Sequence, residues 1–355
     1  MSETMHDCYL SQFDCLQGIL DDKDRLLAGF VPYYRSVAPD RVYLVGSGTS
    51  YNACAAAAPF LEKVLGVEVT AAAPTCLCKL HGQRPLLIAV SQGGRSTNTV
   101  GFIGRMRREG ASVLTLTDPV DTPVGNAGNF AVALQARNEQ VGPKTRGYMA
   151  TVLTLYLMGL EAGLDKGVVD PSFYARCLDQ YSETARRGAE YLAACQDFFD
   201  AHLTDLKMGR NYLFVGKGVS AQVALEDALK VLETLCYPSI GYEFEEFLHG
   251  PGCCTDENLA LFLFLPPGED AGRMRKAADI IGEATKNCYL ISHDPSVAGE
   301  KVLYLPTPDP VFLSPFTDIL FGQLLSAKLT GILGRQRHPA VKDIFTRMGT
   351  KVPNP

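Results

Sequence analysis

The sequence lacks the features that direct a protein to nucleic acid, to a membrane or out of the cell. It has no Lys/Arg-rich block, and 33 Lys and Arg against 39 Asp and Glu give a formal charge of −6, which argues against nucleic acid or an anionic membrane as the main partner. No apolar stretch, even Ala53–Leu61, approaches the roughly 20 residues of a membrane span. The acidic N-terminus lacks the layout of a signal peptide. We therefore expect a cytoplasmic protein.

The spacing typical of metal sites is also lacking. The 11 cysteines are odd in number and irregularly spaced, and the close pairs Cys76/Cys78 and Cys253/Cys254 have no His partners at zinc-finger spacing. We expect reduced cysteines that mostly fill cores, with no metal and no organic cofactor. The length of 355 residues, with 46% apolar and 20% charged residues, excludes a disordered chain and suggests about two domains.

The chain contains an internal repeat. The segment VYLVGSGTS at 42–50 recurs as YLFVGKGVS at 212–220. Each copy continues into a helix-like run and then into three further strand-like patterns in the same order, at 86–94, 112–118 and 130–135 in the first copy and at 259–268, 287–294 and 301–306 in the second. This agreement in order predicts two similar structural units in tandem.

The predicted strands are short, continuously apolar and separated by helical stretches. This pattern is typical of parallel strands covered on both faces. It predicts the α/β class, with a doubly wound parallel sheet flanked by helices in each copy. We expect the following organisation: an N-terminal helix at 1–34, a first subdomain at 35–168, a connecting helix at 169–207, a second subdomain at 208–340 and a C-terminal tail at 341–355.

Two small polar loops follow the first two strands of the first copy. They are Gly46-Ser47-Gly48-Thr49-Ser50 and the SQGGRST segment at 91–97. Ligands of doubly wound sheets bind at the carboxyl ends of the strands. Glycines there let the backbone approach, and hydroxyls and helix N-terminal N–H groups suit a phosphate. Two tight turns with Ser/Thr helix caps are the alternative explanation.

The second copy carries a stripe of ionisable residues instead. Glu226, Lys230 and Glu233 lie at helical spacing, and GYEFEEFLHGP at 241–251 follows with His249. A Glu and a His converging on a small ligand could move protons between carbon and oxygen. A solvated stripe of ion pairs with a structural histidine is the alternative.

Taken together, these motifs resemble the tandem-domain members of the sugar isomerase (SIS) domain family, in particular the isomerase half of glucosamine-6-phosphate synthase. The resemblance covers roughly residues 35–345 and implies two tandem SIS subdomains, each a flavodoxin-like doubly wound sheet. GSGTS resembles the family's first sugar-phosphate loop, and SQGGRST resembles its second. ALEDALKVLET followed by EFLHGP resembles the stretch that carries the catalytic Glu and His.

The resemblance also implies individual roles. Glu233 would carry a proton between C1 and C2, and His249 would assist ring opening, in the family often from the other subunit. Gly93 replaces a phosphate-binding Ser and Arg95 replaces a Glu, so the second loop is altered. Lys342 is a loose match to the synthase's C-terminal Lys, and Lys351 is a second candidate. The residues expected to bind the substrate are Ser47, Thr49, Ser50, Ser91, Gln92, Gly93, Ser96, Glu139 and Lys230.

The family comparison leaves several functions open. The sequence shows no counterpart of a glutaminase domain, so we expect breakdown or interconversion of a sugar phosphate rather than amidotransferase synthesis. The preferred hypothesis is a deglycase that cleaves a phosphorylated ketosamine, as the related phospho-Amadori deglycases do. The alternatives are a ketose–aldose isomerase, an amino-sugar-phosphate deaminase and a non-catalytic phosphosugar sensor. A homodimer or higher homo-oligomer with a shared site is the expected assembly.

Overall fold

The computed structural model describes residues 3–341 and 343–353, and this part of the chain forms two compact units. The first unit contains Ser11–Ser182 together with the residues from His338 onwards. The second unit contains Glu183–Arg337 together with the residues up to Leu10. The chain therefore returns to the first unit after completing the second, a connection that the sequence pattern did not predict.

Ten strands form in the described residues: β1 (Arg41–Val45), β2 (Glu68–Ala72), β3 (Pro85–Val90), β4 (Ser112–Thr117), β5 (Phe130–Ala133), β6 (Asn211–Gly216), β7 (Ser239–Glu243), β8 (Leu259–Phe264), β9 (Asn287–Ser292) and β10 (Val302–Tyr304). The helices are α1 (Met5–Leu10), α2 (Gln12–Asp21), α3 (Lys23–Leu26), α4 (Phe30–Val37), α5 (Thr49–Leu65), α6 (Thr97–Arg108), α7 (Arg146–Asp165), α8 (Pro171–Arg186), α9 (Gly188–Leu206), α10 (Val219–Thr234), α11 (Phe244–Leu248), α12 (Asp270–Ile281), α13 (Ser314–Thr317), α14 (Ile319–Ile332) and α15 (Ile344–Arg347).

Each unit contains a five-stranded sheet in which all paired strands run parallel. The first sheet has the order β2-β1-β3-β4-β5, and the second has the order β7-β6-β8-β9-β10. The two orders match strand for strand, and both are of the flavodoxin-like type. The expected fold class and the internal repeat are confirmed.

The sequence pattern missed one edge strand in each sheet. These are β2, with the sequence EVTAA, and β7, with the sequence SIGYE. Every central strand is almost wholly buried, whereas β2 and β7 keep several partly exposed residues. A short strand at the edge of a sheet needs no continuous apolar run, so its sequence does not stand out.

Two expected helices are interrupted. The predicted connecting helix at 169–207 is two helices, α8 and α9, which meet at Arg187. The predicted N-terminal helix at 1–34 is instead the three short helices α1–α3 and the first part of α4, which continues to Val37. Gly29, which precedes α4, has a φ of 80°, a conformation that ends a helical run and that glycine adopts at low cost.

Helix α7 corrects the expectation that no stretch approaches the length of a membrane span. Its 20 residues have a mean hydropathy of 1.2 over an 18-residue window, enough to cross a membrane by length and composition alone. However, 89% of that window is buried inside the protein. Its apolar surface is therefore accounted for by packing, mainly against α5 in the first unit.

In the second unit, α10 and α14 pack closely around a buried carboxyl group. Asp227 on α10 is fully buried. A Cβ atom added to Gly322 on α14 would lie 2.1 Å from Asp227 Cγ, so only glycine fits there. Burial raises the pKa of Asp227 well above its ordinary value, and the charges of Glu226 and Asp318 raise it further. The raised pKa favours the neutral form of the carboxyl, which is the form that costs less to bury.

Gly322→Ala is expected to destabilise the protein by about 1–3 kcal/mol, because the added methyl group overlaps the buried carboxyl. Gly331→Ala is the matched control, since Gly331 lies on the same helix with nothing within 4 Å of an added Cβ. This control should gain roughly 0.5–1 kcal/mol from the loss of a helical glycine. Urea unfolding of both variants checks the difference. Equal stability of the two would contradict the close packing.

Candidate functional site

The first candidate loop connects β1 to α5 at the carboxyl edge of the first sheet. A Cβ atom added to Gly46 would lie 2.7 Å from the carbonyl carbon of Ser50, so glycine is required for this close turn. Gly48 precedes α5 with a φ of 57°. Thr49 and Ser50 form the first turn of the helix and are buried. The loop thus places small hydroxyl side chains at a helix N-terminus, where backbone N–H groups favour an anion.

The second candidate loop connects β3 to α6 beside the first. Ser91 and Gln92 are buried, whereas Gly93 has open space around its Cα. Gly94 has a φ of 63°, and an added Cβ there would lie 2.1 Å from Thr122 Oγ1. The two glycines therefore have different roles. Gly94 permits the turn, and Gly93 leaves open space beside it.

Asn98 joins the two loops. Its Nδ2 donates to Ser47 Oγ at 2.9 Å, and its Oδ1 accepts from Ser96 Oγ at 2.5 Å. The structure therefore brings together two residues that were predicted to bind substrate. Sequence analysis did not select Asn98, although it directly follows the SQGGRST segment.

Glu139 caps α7. Its Oε1 accepts from the backbone N and from Oγ1 of Thr145, both at 3.0 Å, and its Oε2 accepts from Gly147 N at 2.8 Å. A Cβ added to Gly147 would lie 3.0 Å from both Glu139 Oε2 and Gln92 Oε1. The two predicted substrate-binding side chains thus converge on one glycine. A role for Glu139 toward substrate stays a prediction, and in this structure its carboxylate is hydrogen-bonded to α7.

The C-terminal tail crosses the second loop. Arg95 and Val352 exchange two hydrogen bonds of 2.8 Å, one from Val352 N to Arg95 O and one from Arg95 Nε to Val352 O. Thr97 adds bonds to the carbonyls of Gly349 and Thr350, and Ser96 pairs with Lys351 as an isolated antiparallel bridge. We call residues 349–352 the strap. Lys351 lies in it, whereas Lys342 is outside the described residues.

In the second unit, the polar stripe of α10 is not solvated as a whole. Lys230 and Glu226 are fully buried, and Glu233 is partly exposed. Lys230 Nζ lies 3.3 Å from Glu226 Oε1 and 2.6 Å from Glu233 Oε2. Burial alone would lower the pKa of Lys230, but the charges of Glu226 and Glu233 outweigh it and raise the pKa above its ordinary value. A buried cation thus holds the Glu233 carboxylate in place.

His249 lies directly after α11 and is exposed. Helix α11 begins at Phe244, where the Glu243 side chain accepts from the backbone N–H groups of Glu245 and Glu246. No hydrogen bond or ion pair joins His249 to Glu233 in the described part of the chain. The structure places both residues in the second unit, and their joint catalytic role stays a prediction.

In the second repeat, the hydroxyl group of the corresponding loop is hydrogen-bonded to another side chain of the same unit. Ser220, the counterpart of Ser50, donates to Asp318 Oδ2 at 2.7 Å, and Asp318 Oδ1 lies 2.8 Å from His293 Nε2. Burial alone would lower the pKa of His293, but the Asp318 charge raises it above its ordinary value of 6.5. This carboxyl edge therefore contains a buried ion pair. Across residues 3–341 and 343–353, no group of three or more His, Cys, Asp or Glu residues is placed to hold a metal ion.

One part of the chain matches the model of a known protein domain. Residues 37–160 match the model of the SIS domain. The chain is 24% identical over 324 residues to the glutamine–fructose-6-phosphate aminotransferase (isomerizing) of Thermotoga maritima. That match covers 85% of this chain and 50% of the relative. The chain spans half or less of the length of the first curated relatives that it matches.

Solved structures share the fold over almost the whole chain. A structure from Clostridium difficile 630, provisionally named a phosphosugar isomerase, has a TM-score of 0.90 at 24% identity and covers 99% of both chains. A structure from Salmonella typhimurium LT2, provisionally named a sugar binding protein, has a TM-score of 0.81 at 25% identity and covers 91% of this chain and 99% of that one.

These matches agree with the two repeated parallel sheets and with the paired loops of the first unit. They confirm the resemblance to the isomerase half of the aminotransferase. Over residues 37–160 the chain thus matches the SIS domain, and over nearly its whole length it shares the fold of the structures named above.

Proposed function

We propose that this protein is a deglycase that cleaves a phosphorylated ketosamine, of the 6-phosphofructosyl-amino acid type, to an aldose 6-phosphate and a free amine. The observation that carries the proposal is the Glu233 carboxylate, held 2.6 Å from the ammonium group of the fully buried Lys230. A carboxylate fixed in this way, and still 31% exposed, is suited to take a proton from a substrate carbon.

The reaction needs one proton shuttle and one water molecule. Glu233 removes a proton from C1 of the 1-amino-1-deoxyketose, and the C1–C2 enaminol forms. Return of the proton to C2 gives an imine at C1. Water adds to the imine, and breakage of the C–N bond releases the amine and the aldose phosphate. His249 is proposed to assist ring opening and proton transfer at oxygen.

The phosphate is assigned to the first unit. Its two loops keep Thr49, Ser50, Ser91 and Ser96 close to the starts of α5 and α6, whereas the corresponding Ser220 of the second unit is bound to Asp318. Hydroxyls at helix N-termini favour an anion. The proposal includes a homodimer in the cytoplasm.

Two alternatives have support of their own. A ketose–aldose isomerase or an amino-sugar-phosphate deaminase would use the same proton shuttle, and the similar Clostridium difficile structure carries the provisional name of a phosphosugar isomerase. A non-catalytic phosphosugar sensor would need the loops of the first unit but no base. The ordered contact between Lys230 and Glu233 favours an enzyme over a sensor.

A coupled assay for glucose 6-phosphate separates these functions. The purified protein is incubated in parallel with 6-phosphofructosyl-amino acids, glucosamine 6-phosphate and fructose 6-phosphate. We expect release of aldose phosphate and of the free amino acid from the first group only. Turnover of only the other two substrates would favour the isomerase or deaminase. Binding of a sugar phosphate in calorimetry without any turnover would favour the sensor.

Glu233→Gln is expected to lower kcat by about 10²–10⁴-fold, because the amide keeps the shape but loses the base. Glu246→Gln is the matched control, since this exposed carboxylate of the same unit has no proposed role. Steady-state kinetics on the best substrate of the panel gives the comparison. A Glu233→Gln enzyme within tenfold of the unsubstituted protein would mean that Glu233 is only an ion-pair partner of Lys230.

The strap leads to a further expectation. Arg95→Ala removes one of the side-chain hydrogen bonds that hold residues 349–352, worth roughly 1 kcal/mol. Opening of the strap should then become about fivefold more frequent, and trypsin should cut after Lys351 correspondingly faster. Arg108→Ala, on the exposed last turn of α6, is the control. Mass spectrometry of timed digests measures the rates. Equal cleavage of the two variants would show that the Arg95 side chain does not help to hold the strap.

A further inference from the structure

A cavity of about 420 Å³ opens in the first unit. It is lined by α2 on one side and by the segments that follow β4 and β5 on the other. The residues that matter to its chemistry are Gly18, Asp22, Asp118, Gln135, Arg137 and Asn138. Neither the sequence motifs nor the proposed proton shuttle accounts for this space.

The cavity presents charges of both signs. Asp118 Oδ2 accepts from Asn138 N at 2.9 Å, which leaves Oδ1 as an acceptor among the described contacts. Arg137 is exposed and uses one N–H group, donated to Asp14 O at 3.0 Å, so further donors of its guanidinium face solvent. Asp22 already accepts from Arg25 and Gln135. An acceptor and a fork of donors in one cavity match a ligand that carries an amino group and a carboxylate.

The residues that line the cavity do not supply a reactive nucleophile. Cys15 contributes the only thiol to the cavity wall, and it donates to Gln135 O at 3.3 Å. Burial raises the pKa of this thiol to about 12. A thiol that stays protonated is a poor nucleophile, so the cavity is suited to binding.

The wall of the cavity is continuous with the second candidate loop. Asp118 directly follows β4, and its backbone N donates to Gln92 O at 3.1 Å. Asn138 directly precedes Glu139, whose carboxylate meets Gln92 at Gly147. A ligand anchored by its phosphate on the loops can therefore extend toward the cavity without leaving the carboxyl edge of the first sheet.

The backbone around Arg137 is held in an unusual conformation. Gln135, Arg137 and Asn138 have φ values of 50°, 54° and 48°, in the left-handed region that side-chain-bearing residues adopt at a cost. The buried guanidinium of Arg146 fixes this segment, with Nε donating to Ala136 O at 2.9 Å. Because a buried side chain holds this strained backbone in place, the fold fixes the orientation of Arg137 and Asn138.

We propose that this cavity binds the amino-acid half of the ketosamine phosphate, with Arg137 on the carboxylate and Asp118 on the amino group. This inference rests on the proposed deglycase function, and it specifies the leaving group as an amino acid rather than ammonia or a simple amine. Arg137 acts here as a specificity-determining residue and takes no part in the proton transfer.

The test measures binding with ligands that cannot react. The 1-amino-1-deoxyfructose 6-phosphates that carry glycine or methylamine at C1 are reduced at C2, which removes the carbonyl group and leaves two adducts that differ in the carboxylate alone. Calorimetry on the unsubstituted protein should show the glycine adduct bound about tenfold to a hundredfold more tightly, the effect of one charge-assisted contact. Arg137→Gln should abolish most of this preference and leave the affinity for the methylamine adduct unchanged.

Two further variants guard against misfolding and against a general charge effect. Gly18→Leu fills the cavity from α2, where nothing lies within 4 Å of an added Cβ, and it should weaken the glycine adduct only. Arg108→Gln removes an arginine from α6 and should change neither affinity. Thermal unfolding confirms that each variant is folded.

The outcomes for the cavity and for the deglycase are distinguishable. Equal affinities for the two adducts, no binding of either, or an unchanged preference in Arg137→Gln would overturn the inference about the cavity. Turnover of unreduced adducts in the coupled assay reports on the deglycase separately. Turnover of the unreduced adducts with equal affinity for the two reduced adducts would support the deglycase function and overturn the inference about the cavity. Tighter binding of the glycine adduct without any turnover would support the inference about the cavity and overturn the deglycase function.

Discussion

Every strand of both sheets runs in the same direction, and the placement of the candidate residues depends on this constraint. Parallel pairing requires a crossover after each strand, so all carboxyl ends lie along one edge of a sheet and each opens into a loop. In the first unit this brings the Gly46–Ser50 loop, the 91–97 loop, Asp118 and the 134–139 segment to one edge. The chemistry of that edge is then set by which side chains the loops carry.

The two repeats show how differently the same framework can be used. At the start of α5, Thr49 and Ser50 belong to the first of two loops that Asn98 links through Ser47 and Ser96. At the start of α10, Ser220 is bound to Asp318, which in turn pairs with His293. The second repeat has instead placed its ionisable residues further along α10, where buried Lys230 fixes Glu233. The same framework thus carries a pair of hydroxyl-bearing loops in one unit and a buried ion pair in the other.

The central strands and the loops after them were predictable because their signals are local. A buried parallel strand needs an apolar run, and a tight turn before a helix needs glycine and hydroxyl residues. The edge strands β2 and β7 were missed because half-exposed strands carry no such run. Contacts between distant segments leave no local signal at all. The capping of α7 by Glu139, the hydrogen bonds of Asn98 and the strap on Arg95 belong to this group.

The sequence showed the ionisable residues of α10 as a stripe along one helix face, but it did not show whether they are buried. The spacing of Glu226, Lys230 and Glu233 is equally compatible with a solvated helix face, and burial depends on what packs against α10. Gly322 on α14 permits that packing at Asp227. The distinction between a surface ion pair and a buried one therefore depends on packing by another helix almost 100 residues away.

The return of the strap to the first unit has a consequence for synthesis. A ribosome completes Ser11–Ser182 well before it reaches residues 349–352, so the early unit folds with its second loop uncovered. The main-chain groups of Arg95 and Thr97 stay open to solvent, or to a chaperone, until the later unit has been made. Closing of the strap therefore follows the synthesis of the later unit.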